Sequence, residues 1–295
     1  MVETVLNTTA TLGEGVFWHP KENKVYWVDI YGKEIHATDP KTGSNQTFKL
    51  PEYVGTIAPI RSGGLLVALE NGVVELDTET GGFSSVLELE KDKPDNRFND
   101  GKCDPKGRFW LGSMCRQGLS ATGALYSIEA GMGHVKRADH ITVSNGITWS
   151  LDHKTMYYID SPTRKVVAYS YDLETGAISN PIKVIDIPEE FGFPDGMTID
   201  NEGMLWIALW GGSAVSRWKP DTGELIQKIG VPAPHVTSCA FGGADLNKLY
   251  ITTAREGLTK AQLAEYPLSG SLFAIDLPVG GPEVFFFNES IGPNN

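Results

Sequence analysis

Short hydrophobic segments recur along the chain, and their length and alternation of apolar and polar residues are typical of β-strands. Six of them share one form, an apolar run that ends near an acidic or small residue: KVYWVD (24–29), GLLVAL (64–69), RFWLGS (108–113), TMYYID (155–160), MLWIAL (204–209) and KLYITT (248–253). A second strand-like segment follows each run, usually with a glycine turn, and a more polar third segment comes next. This repeat of roughly 45 residues predicts an all-β fold, a six-bladed β-propeller of four-stranded antiparallel blades that takes up residues 1–295 as a single domain.

A glycine-containing phrase precedes each apolar run and is expected to form the innermost strand of its blade. The clear examples are LGEGVFWHP (12–20), FNDGKCDPKG (98–107), SNGITWSLD (144–152) and FPDGMTID (193–200), with weaker forms VGTIAPI (54–60) and TSCAFGG (237–243). Glycine suits these strands because they converge on the axis and leave little room for side chains. The loop before strand one lies on the same face of a meander as the loop between strands two and three. We therefore expect one ring of polar side chains at the upper mouth of the central channel: Glu14, Asp100, Asn145, Asp195 and Ser238.

Longer loops between second and third strands are expected beside this ring. They lie at 113–123, 208–213 and 253–270. Trp210 of the second loop is expected to line the mouth, and a short helix in the third loop is expected to cover it. Both chain ends also carry a strand-like segment, TVLNTTA and EVFFFN, in the position of the outermost strand of blade six. Pairing of the termini would close the ring and protect a sheet edge. The pattern leaves open which terminus is outermost.

Composition and charge narrow the class of function. Hydrophobic residues make up 41% of the chain and charged residues 21%, as in ordinary soluble globular proteins. The net charge of -12 disfavours nucleic acid and anionic membranes as partners. The three cysteines form neither a disulfide framework nor a zinc motif, the N-terminal residues lack a signal-peptide pattern, and no apolar run reaches the ~18 residues of a membrane span. We expect a cytoplasmic protein, monomeric or weakly homo-oligomeric, that acts on a small molecule.

Three members of the predicted ring carry oxygen donors at matching positions of blades one, four and five: Glu14, Asn145 and Asp195. Oxygen ligands suit a hard divalent cation, with calcium the first choice, then magnesium or manganese, and zinc as a further alternative. An Asx-Gly pair on its own is commonly only a turn. Convergence of several such pairs on one axis favours a metal site, and Glu14 strengthens this interpretation because glutamate is not a typical turn residue. A bound cation would polarise a carbonyl or phosphoryl oxygen while a nearby carboxylate takes a proton from water.

Arg97 and Asn99 come just before the third glycine phrase. An arginine at a channel mouth is suited to holding the oxygen atoms of a polar substrate. An equally good interpretation pairs Arg97 with Asp92, Asp95 or Asp100 on the rim. No HExxH motif and no GxSxG motif is present in the sequence, so neither a zincin nor a serine-hydrolase site is indicated.

Together, these motifs resemble the senescence-marker/regucalcin/gluconolactonase family. The resemblance is carried along the chain by GEGVFWHP, RFNDGKCDPKGRFWLGSM, SNGITWSLDHKTMYYID, PDGMTIDNEGMLWIA, and SCAFGG with KLYITTAREG. It implies a six-bladed propeller with a divalent metal in its central channel that hydrolyses sugar lactones. It also implies that Glu14, Asn145 and Asp195 are the metal ligands, with Asp195 also the general base. Arg97 and Asn99 would contact the substrate, which favours Asn99 over Asp100 as the residue at the mouth.

One loop departs from the family pattern. Members often carry an acidic substrate contact after the Gly-x-Met motif, whereas this chain has Cys115, Arg116 and Gln117 there, with Gln117 as the substrate-contact candidate. The expected activity is metal-dependent opening of an aldonolactone such as gluconolactone or a pentonolactone, and the ring size stays open. The alternatives are a phosphotriesterase or esterase on the same metal site, and a non-catalytic calcium-binding propeller.

Overall fold

In the computed structural model, which describes residues 1–289, antiparallel strands form six four-stranded blades around one axis. The innermost strand of each blade packs against the innermost strands of its two neighbours, so the ring is closed. From the axis outward, blade one contains β2 (Gly13–His19), β3 (Lys24–Asp29), β4 (Glu34–Thr38) and β5 (Asn45–Lys49); blade two contains β6 (Thr56–Pro59), β7 (Leu65–Ala68), β8 (Gly72–Leu76) and β9 (Phe83–Glu88); and blade three contains β10 (Asn96–Cys103), β11 (Phe109–Cys115), β12 (Gly123–Ile128) and β13 (His134–Ile141).

The other half of the ring has the same order. Blade four contains β14 (Ser144–Trp149), β15 (Thr155–Asp160), β16 (Lys165–Tyr171) and β17 (Ile178–Asp186); blade five contains β18 (Phe193–Ile199), β19 (Leu205–Trp210), β20 (Ala214–Lys219) and β21 (Glu224–Gly230); and blade six contains β22 (His235–Gly242), β23 (Lys248–Ala254), β24 (Leu272–Asp276) and β1 (Glu3–Leu6). The one α-helix of the described residues is α1 (Lys260–Glu265), and three short 3-10 turns occur at Ala130–Met132, Ser161–Thr163 and Glu189–Phe191. No helix in the described part of the chain is long and apolar enough to span a membrane.

The six-blade prediction is confirmed, and burial explains the pattern that carried it. Strands such as β11 are buried along their whole length, because neighbouring blades cover both faces. Outermost strands such as β21 are mostly exposed, which is why the third strand-like segment of each repeat reads as more polar. The tryptophans Trp27, Trp110 and Trp206 of the second strands are buried between blades.

A carboxylate anchors the turn between strands one and two in two of the blades. In blade five, Asp200 accepts hydrogen bonds from the backbone N–H groups of Glu202 and Met204 at 2.9 and 3.0 Å, and from the indole Nε1 of Trp206 at 2.9 Å. Asp104 makes the corresponding bonds in blade three, including one from Trp110 Nε1 at 2.8 Å. These bonds tie each lower turn to the core of its own blade.

The N-terminus supplies the outermost strand of blade six. β1 pairs with β24 in antiparallel register, with Glu3 opposite Ala274, and the Lys248 ammonium lies 2.7 Å from the Glu3 carboxylate. The EVFFFN segment, which had an equal claim to this place, forms no strand and makes only an isolated bridge from Phe287 to Ile60. Residues 290–295, which the single-domain prediction includes, lie outside the described part.

The C-terminal segment instead crosses the lower end of the channel. Residues 280–289, here called the strap, contact the loop between the first and second strands of every blade. The contacts are Gly281 N to Leu246 O at 2.9 Å, Asn201 N to Gly280 O at 2.8 Å, the Phe285 ring against His153, the Phe286 ring against His19, Phe287 N to Pro59 O at 2.8 Å, and Asn288 N to Gly107 O at 3.0 Å. The strap therefore closes the channel opposite its mouth.

Candidate active site

Two cavities lie along the axis. The upper pocket, about 470 Å³, opens at the mouth and is lined by residues that include Glu14, Arg97, Asn99, Gln117, Asn145 and Asp195. All six site residues predicted from the sequence are thus brought together. The lower chamber, about 240 Å³, is lined by inner-strand residues of all six blades and by the strap.

β-Bulges in the inner strands place these side chains. The register of five of the six inner strands shifts at the glycine phrase, for example between Glu14 and Phe17 in blade one and between Phe98 and Gly101 in blade three. Blades four, five and six have the same irregularity, whereas β6 of blade two pairs with β7 without a shift. A bulge adds a residue and re-aims the neighbouring side chains. In blades one, three, four and five the register shift includes the glycine of the motif, so there the motif marks a bulge.

The expected ring of five residues at the mouth is corrected by this geometry. Asp100 and Ser238 line the lower chamber and not the upper pocket. In blade three the bulge lets consecutive residues face the axis at two heights, so Asn99 lies in the upper pocket while Asp100 lies below it. The preference for Asn99 at the mouth is consistent with this arrangement.

Close approach of neighbouring inner strands explains the glycine after Asn145. A Cβ atom at Gly146 would lie 2.7 Å from the carbonyl oxygen of Asp195. In blade one the requirement is conformational, because Gly15 has a φ of 58°, in the left-handed region. Larger residues at these positions would displace the two carboxylates of the site.

A chain of hydrogen bonds holds the amide side chains in the upper pocket. Asn99 Nδ2 donates to Asn145 Oδ1 at 3.0 Å and to the backbone oxygen of Ser144 at 2.8 Å. Asn145 Nδ2 donates to Ser161 Oγ at 2.8 Å, and that hydroxyl donates to the backbone oxygen of Pro194 at 2.6 Å. Blades three, four and five are linked in this way beside Asp195.

Arg97 is buried under the mouth, only 3% exposed. Its Nη1 donates to Asn99 Oδ1 at 2.6 Å and to the backbone oxygen of Phe98 at 3.0 Å, and its guanidinium lies 5.7 Å from the ring centre of Tyr31. It forms no ion pair with the acids of its own segment within residues 1–289, so the interpretation as a rim ion pair is not supported. Arg97 also lines the upper pocket, and its buried Nε lacks a hydrogen-bond partner within the same residues.

Two carboxylates share the base of the upper pocket. Glu14 and Asp195 are each 5% exposed. Burial raises the pKa of Glu14 to about 8, and the nearby Asp100 adds to the rise. Burial, and then the charges of Glu14 and Asp100, raises the pKa of Asp195 well above its usual range. Such a pair favours a bound cation or a retained proton.

The donor set fits a hard divalent cation. Asp195 Oδ1 is buried without a hydrogen-bond partner among the described residues, and Asn145 Oδ1 keeps a second lone pair after accepting from Asn99. No group of three or more His, Cys, Asp and Glu side chains gathers as a metal cluster in residues 1–289. A cation here would therefore use the Asn145 oxygen together with the two carboxylates, a combination that suits calcium.

The rim includes several residues that the motifs did not indicate. Tyr31, Pro162 and Glu256 line the upper pocket, and each lies two residues after the end of the second strand of its blade, the same offset as the predicted contact Gln117. This constant offset is a sequence signal that would have found Tyr31 and Glu256. Trp210 lies at the mouth, as predicted, stacked on His235 with ring centres 3.9 Å apart.

The expected helix of the 253–270 loop is present as α1. It begins with a capping box between Thr259 and Gln262, yet none of its residues lines the upper pocket. The same loop reaches the mouth through Glu256. In the loop after Gly-x-Met, Arg116 also lines the pocket, and its Nη2 lies 2.5 Å from the Glu70 carboxylate.

The fold and this pocket are those of a known class of propeller. The family model described as "SMP-30/Gluconolactonase/LRE-like region" matches residues 12–255. This chain therefore belongs to that family, as the sequence motifs predicted.

Its relatives include both enzymes and proteins named for calcium. The chain is 40% identical over 275 residues to a putative sugar lactone lactonase, YvrE, of Bacillus subtilis, covering 93% of this chain and 94% of the relative. It is 39% identical to regucalcin of Xenopus laevis over 279 residues, covering 93% of each. Among solved structures, a regucalcin from Agrobacterium tumefaciens, described as a calcium-binding protein, has a TM-score of 0.92 at 31% identity, covering 97% of this chain and 96% of that one.

Proposed function

We propose that this protein is a metal-dependent sugar lactonase. The observation that carries the proposal is the convergence of two buried carboxylates, an amide oxygen and a buried guanidinium in one open pocket: Glu14, Asp195, Asn145 and Arg97. Family membership and the lactonase relative of Bacillus subtilis support the same chemistry. The regucalcin relatives support a divalent cation, with calcium as first choice.

Glu14, Asn145 and Asp195 would hold the cation. When bound, it polarises the lactone carbonyl and acidifies water. The roles of the protein side chains follow from their positions. Asn99 donates to one lone pair of Asn145 Oδ1 and Ser161 accepts from Asn145 Nδ2, so the amide orientation is fixed and the second lone pair of Oδ1 is available. Burial of both carboxylates excludes competing water and strengthens their electrostatic effect.

Asp195 is the proposed general base. It would take the proton of the attacking water and return a proton to the ring oxygen as the ester C–O bond breaks, which gives the hydroxy acid. A carboxylate beside the attacking water is suited to this exchange, because the same group can accept the proton and return it. Its Oδ1 has no competing hydrogen bond among the described residues.

Arg97, Asn99 and Gln117 are the proposed substrate contacts. Arg97 and Asn99 both line the pocket, and Arg97 Nη1 positions the Asn99 side chain by donating to its Oδ1. Gln117 replaces the acidic contact often found in the family, so a neutral aldonolactone such as gluconolactone or a pentonolactone is the proposed substrate. Trp210 offers an aromatic surface for the apolar face of the sugar ring.

The test is a panel of γ- and δ-aldonolactones followed by pH-stat on chelator-treated protein, with calcium, magnesium, manganese and zinc added back singly. A phosphotriester is included in the panel. We expect acid release from at least one lactone only after metal addition. Faster turnover of the phosphotriester would indicate the alternative hydrolase. Calorimetric metal binding without hydrolysis of any compound would indicate a non-catalytic binding protein, and both results would refute the lactonase proposal.

A further inference from the structure

The lower chamber contains a partly buried lysine that the proposed reaction does not use. Lys102, on β10 of blade three, lines this chamber together with Asp100. Its Nζ donates to the backbone oxygen of Met197 at 2.9 Å. Met197 is on β18 of blade five, so the side chain reaches past blade four to a strand that is not adjacent to its own. A long polar side chain in this position requires a compensating interaction, because burial of an isolated ammonium is costly.

The partly buried Asp100 carboxylate supplies that compensation for Lys102. Asp100 is close enough to influence the charges of Glu14, Asp195 and Lys102. The charged side chains that line the two cavities are Glu14, Arg97, Arg116, Asp195 and Glu256 in the upper pocket and Asp100, Lys102 and Glu283 in the lower chamber. When all are ionised, the five carboxylates and three fixed cations leave two negative charges, which one divalent cation at the upper pocket neutralises. A second divalent cation would leave an excess of two positive charges in a largely enclosed site, at high cost.

We propose that Lys102 is the fixed counter-ion of the lower chamber and restricts the channel to one divalent cation. Its ammonium lies where a second hard cation would otherwise find oxygen ligands. The Met197 carbonyl already accepts a hydrogen bond from Nζ, and the Asp100 carboxylate lines the same chamber. This inference goes beyond the proposed reaction, because it concerns cation stoichiometry at the other end of the channel.

The chamber has the chemistry of a cation site once the ammonium is removed. Besides the Asp100 carboxylate and the Met197 carbonyl, hydroxyl residues line it: Thr148, Thr198 and Ser238. Carboxylate, carbonyl and hydroxyl or water oxygens are the ligands that calcium and magnesium take. A volume of about 240 Å³ also leaves room for coordinating water.

The experiment counts bound cations. Calcium equivalents are measured by isothermal titration calorimetry and by native mass spectrometry for the wild type, for Lys102→Met, and for the double variant Lys102→Met with Asp100→Asn. Lys106→Met, which removes a half-exposed ammonium from the same blade, is the matched control. We expect Lys102→Met to bind one more equivalent than the wild type. The double variant and Lys106→Met are expected to bind the wild-type number.

The expected result does not depend on the lactonase proposal. It is a difference in bound calcium equivalents between Lys102→Met and the wild type, and it is expected whether or not the wild type opens lactones or binds calcium at the upper pocket. Unchanged equivalents in Lys102→Met would overturn the proposal. If Lys102→Met folds only with added calcium, as followed by circular dichroism, while the double variant folds without it, the counter-ion role is supported. Failure of both variants to fold with calcium present would assign Lys102 a packing role and overturn the proposal as well.

Discussion

Asn99 Nδ2 donates to Asn145 Oδ1 at 3.0 Å across the boundary between blades three and four. Because Asn145 Nδ2 is itself bonded to Ser161 Oγ, both ends of the Asn145 amide have assigned partners. The amide is thereby held with its oxygen toward the pocket that contains Glu14 and Asp195. A residue assigned to substrate contact thus also positions a proposed metal ligand.

Replacement of Asn99 should therefore weaken cation binding in the absence of substrate. We expect Asn99→Ala to lower the affinity for the divalent cation by about 10–100-fold, the usual effect of losing a partner that orients a ligand. Calorimetric titration of the chelator-treated protein measures this. Asn45→Ala, the same change in blade one, should bind like the wild type, and equal affinities for all three proteins would refute the positioning role of Asn99.

Asp195→Asn should separate activity from stability. We expect turnover to fall about 10²–10⁴-fold, the usual contribution of a general base. Stability of the metal-free protein should be unchanged or higher, because the variant removes one of two neighbouring buried carboxylates. Lactone hydrolysis and thermal unfolding are the measurements. Metal-dependent turnover near the wild-type rate would exclude Asp195 as the base.

Asp200, five residues further along the chain, should show the opposite behaviour. It is fully buried and accepts hydrogen bonds from a turn, from Trp206 and from Arg217. We expect Asp200→Asn to lower the free energy of unfolding by about 3–5 kcal/mol, as when one partner of a buried ion pair is removed. Denaturant unfolding measures this, with the exposed Asp221→Asn as a control that should change stability by less than about 0.5 kcal/mol. Equal small effects would show that the turn does not depend on this carboxylate.

His36 should make stability fall on acidification. It is stacked on Trp27 with ring centres 4.0 Å apart, and burial lowers its pKa from the ordinary value of 6.5. Below about pH 6.5 the unfolded chain binds a proton that the native state does not, so the free energy of unfolding decreases as pH falls, by at most about 1.4 kcal/mol per pH unit for one proton.

The measurement is denaturant unfolding of wild type and His36→Gln between about pH 7.5 and 5.5. The free energy of unfolding of the variant should decrease less steeply as the pH falls. Some pH dependence should remain, because burial also lowers the pKa of His19 and His235. Identical slopes for the two proteins would exclude His36 as a source of the pH dependence.

A substitution at Phe287 measures how much the strap contributes to stability. Its side chain is fully buried among core residues of blades two and three. Phe287→Ala should lower the free energy of unfolding by about 3–5 kcal/mol, as for other large core truncations. Phe83→Ala, which truncates a phenylalanine that is 46% exposed, should cost much less. Similar losses for both variants, measured by denaturant unfolding, would mean that the strap does not stabilise the ring.

Some features of the site were predictable from single motifs, and others were not. Glu14, Asn145 and Asp195 each precede a glycine at the same place in the repeat, so their convergence followed from the period alone. Asp100 precedes a glycine in the same way, but the bulge between Phe98 and Gly101 directs it to the lower chamber. Position in the repeat predicts which end of a strand a residue occupies, whereas its height along the axis depends on how the bulge pairs with the neighbouring strand.

By itself, the sequence determined the six-bladed architecture, because the apolar period reflects burial that every blade reproduces locally. It also brought Glu14, Asn145 and Asp195 to the channel mouth, whereas the heights of Asp100 and Ser238 depended on the tertiary structure. Only the tertiary structure decided that β1 closes blade six and that EVFFFN becomes the strap, since both segments carry the same strand-like pattern. The choice depends on contacts with distant loops, Ile60 and Gly107 among them, and those loops become neighbours only when the ring closes.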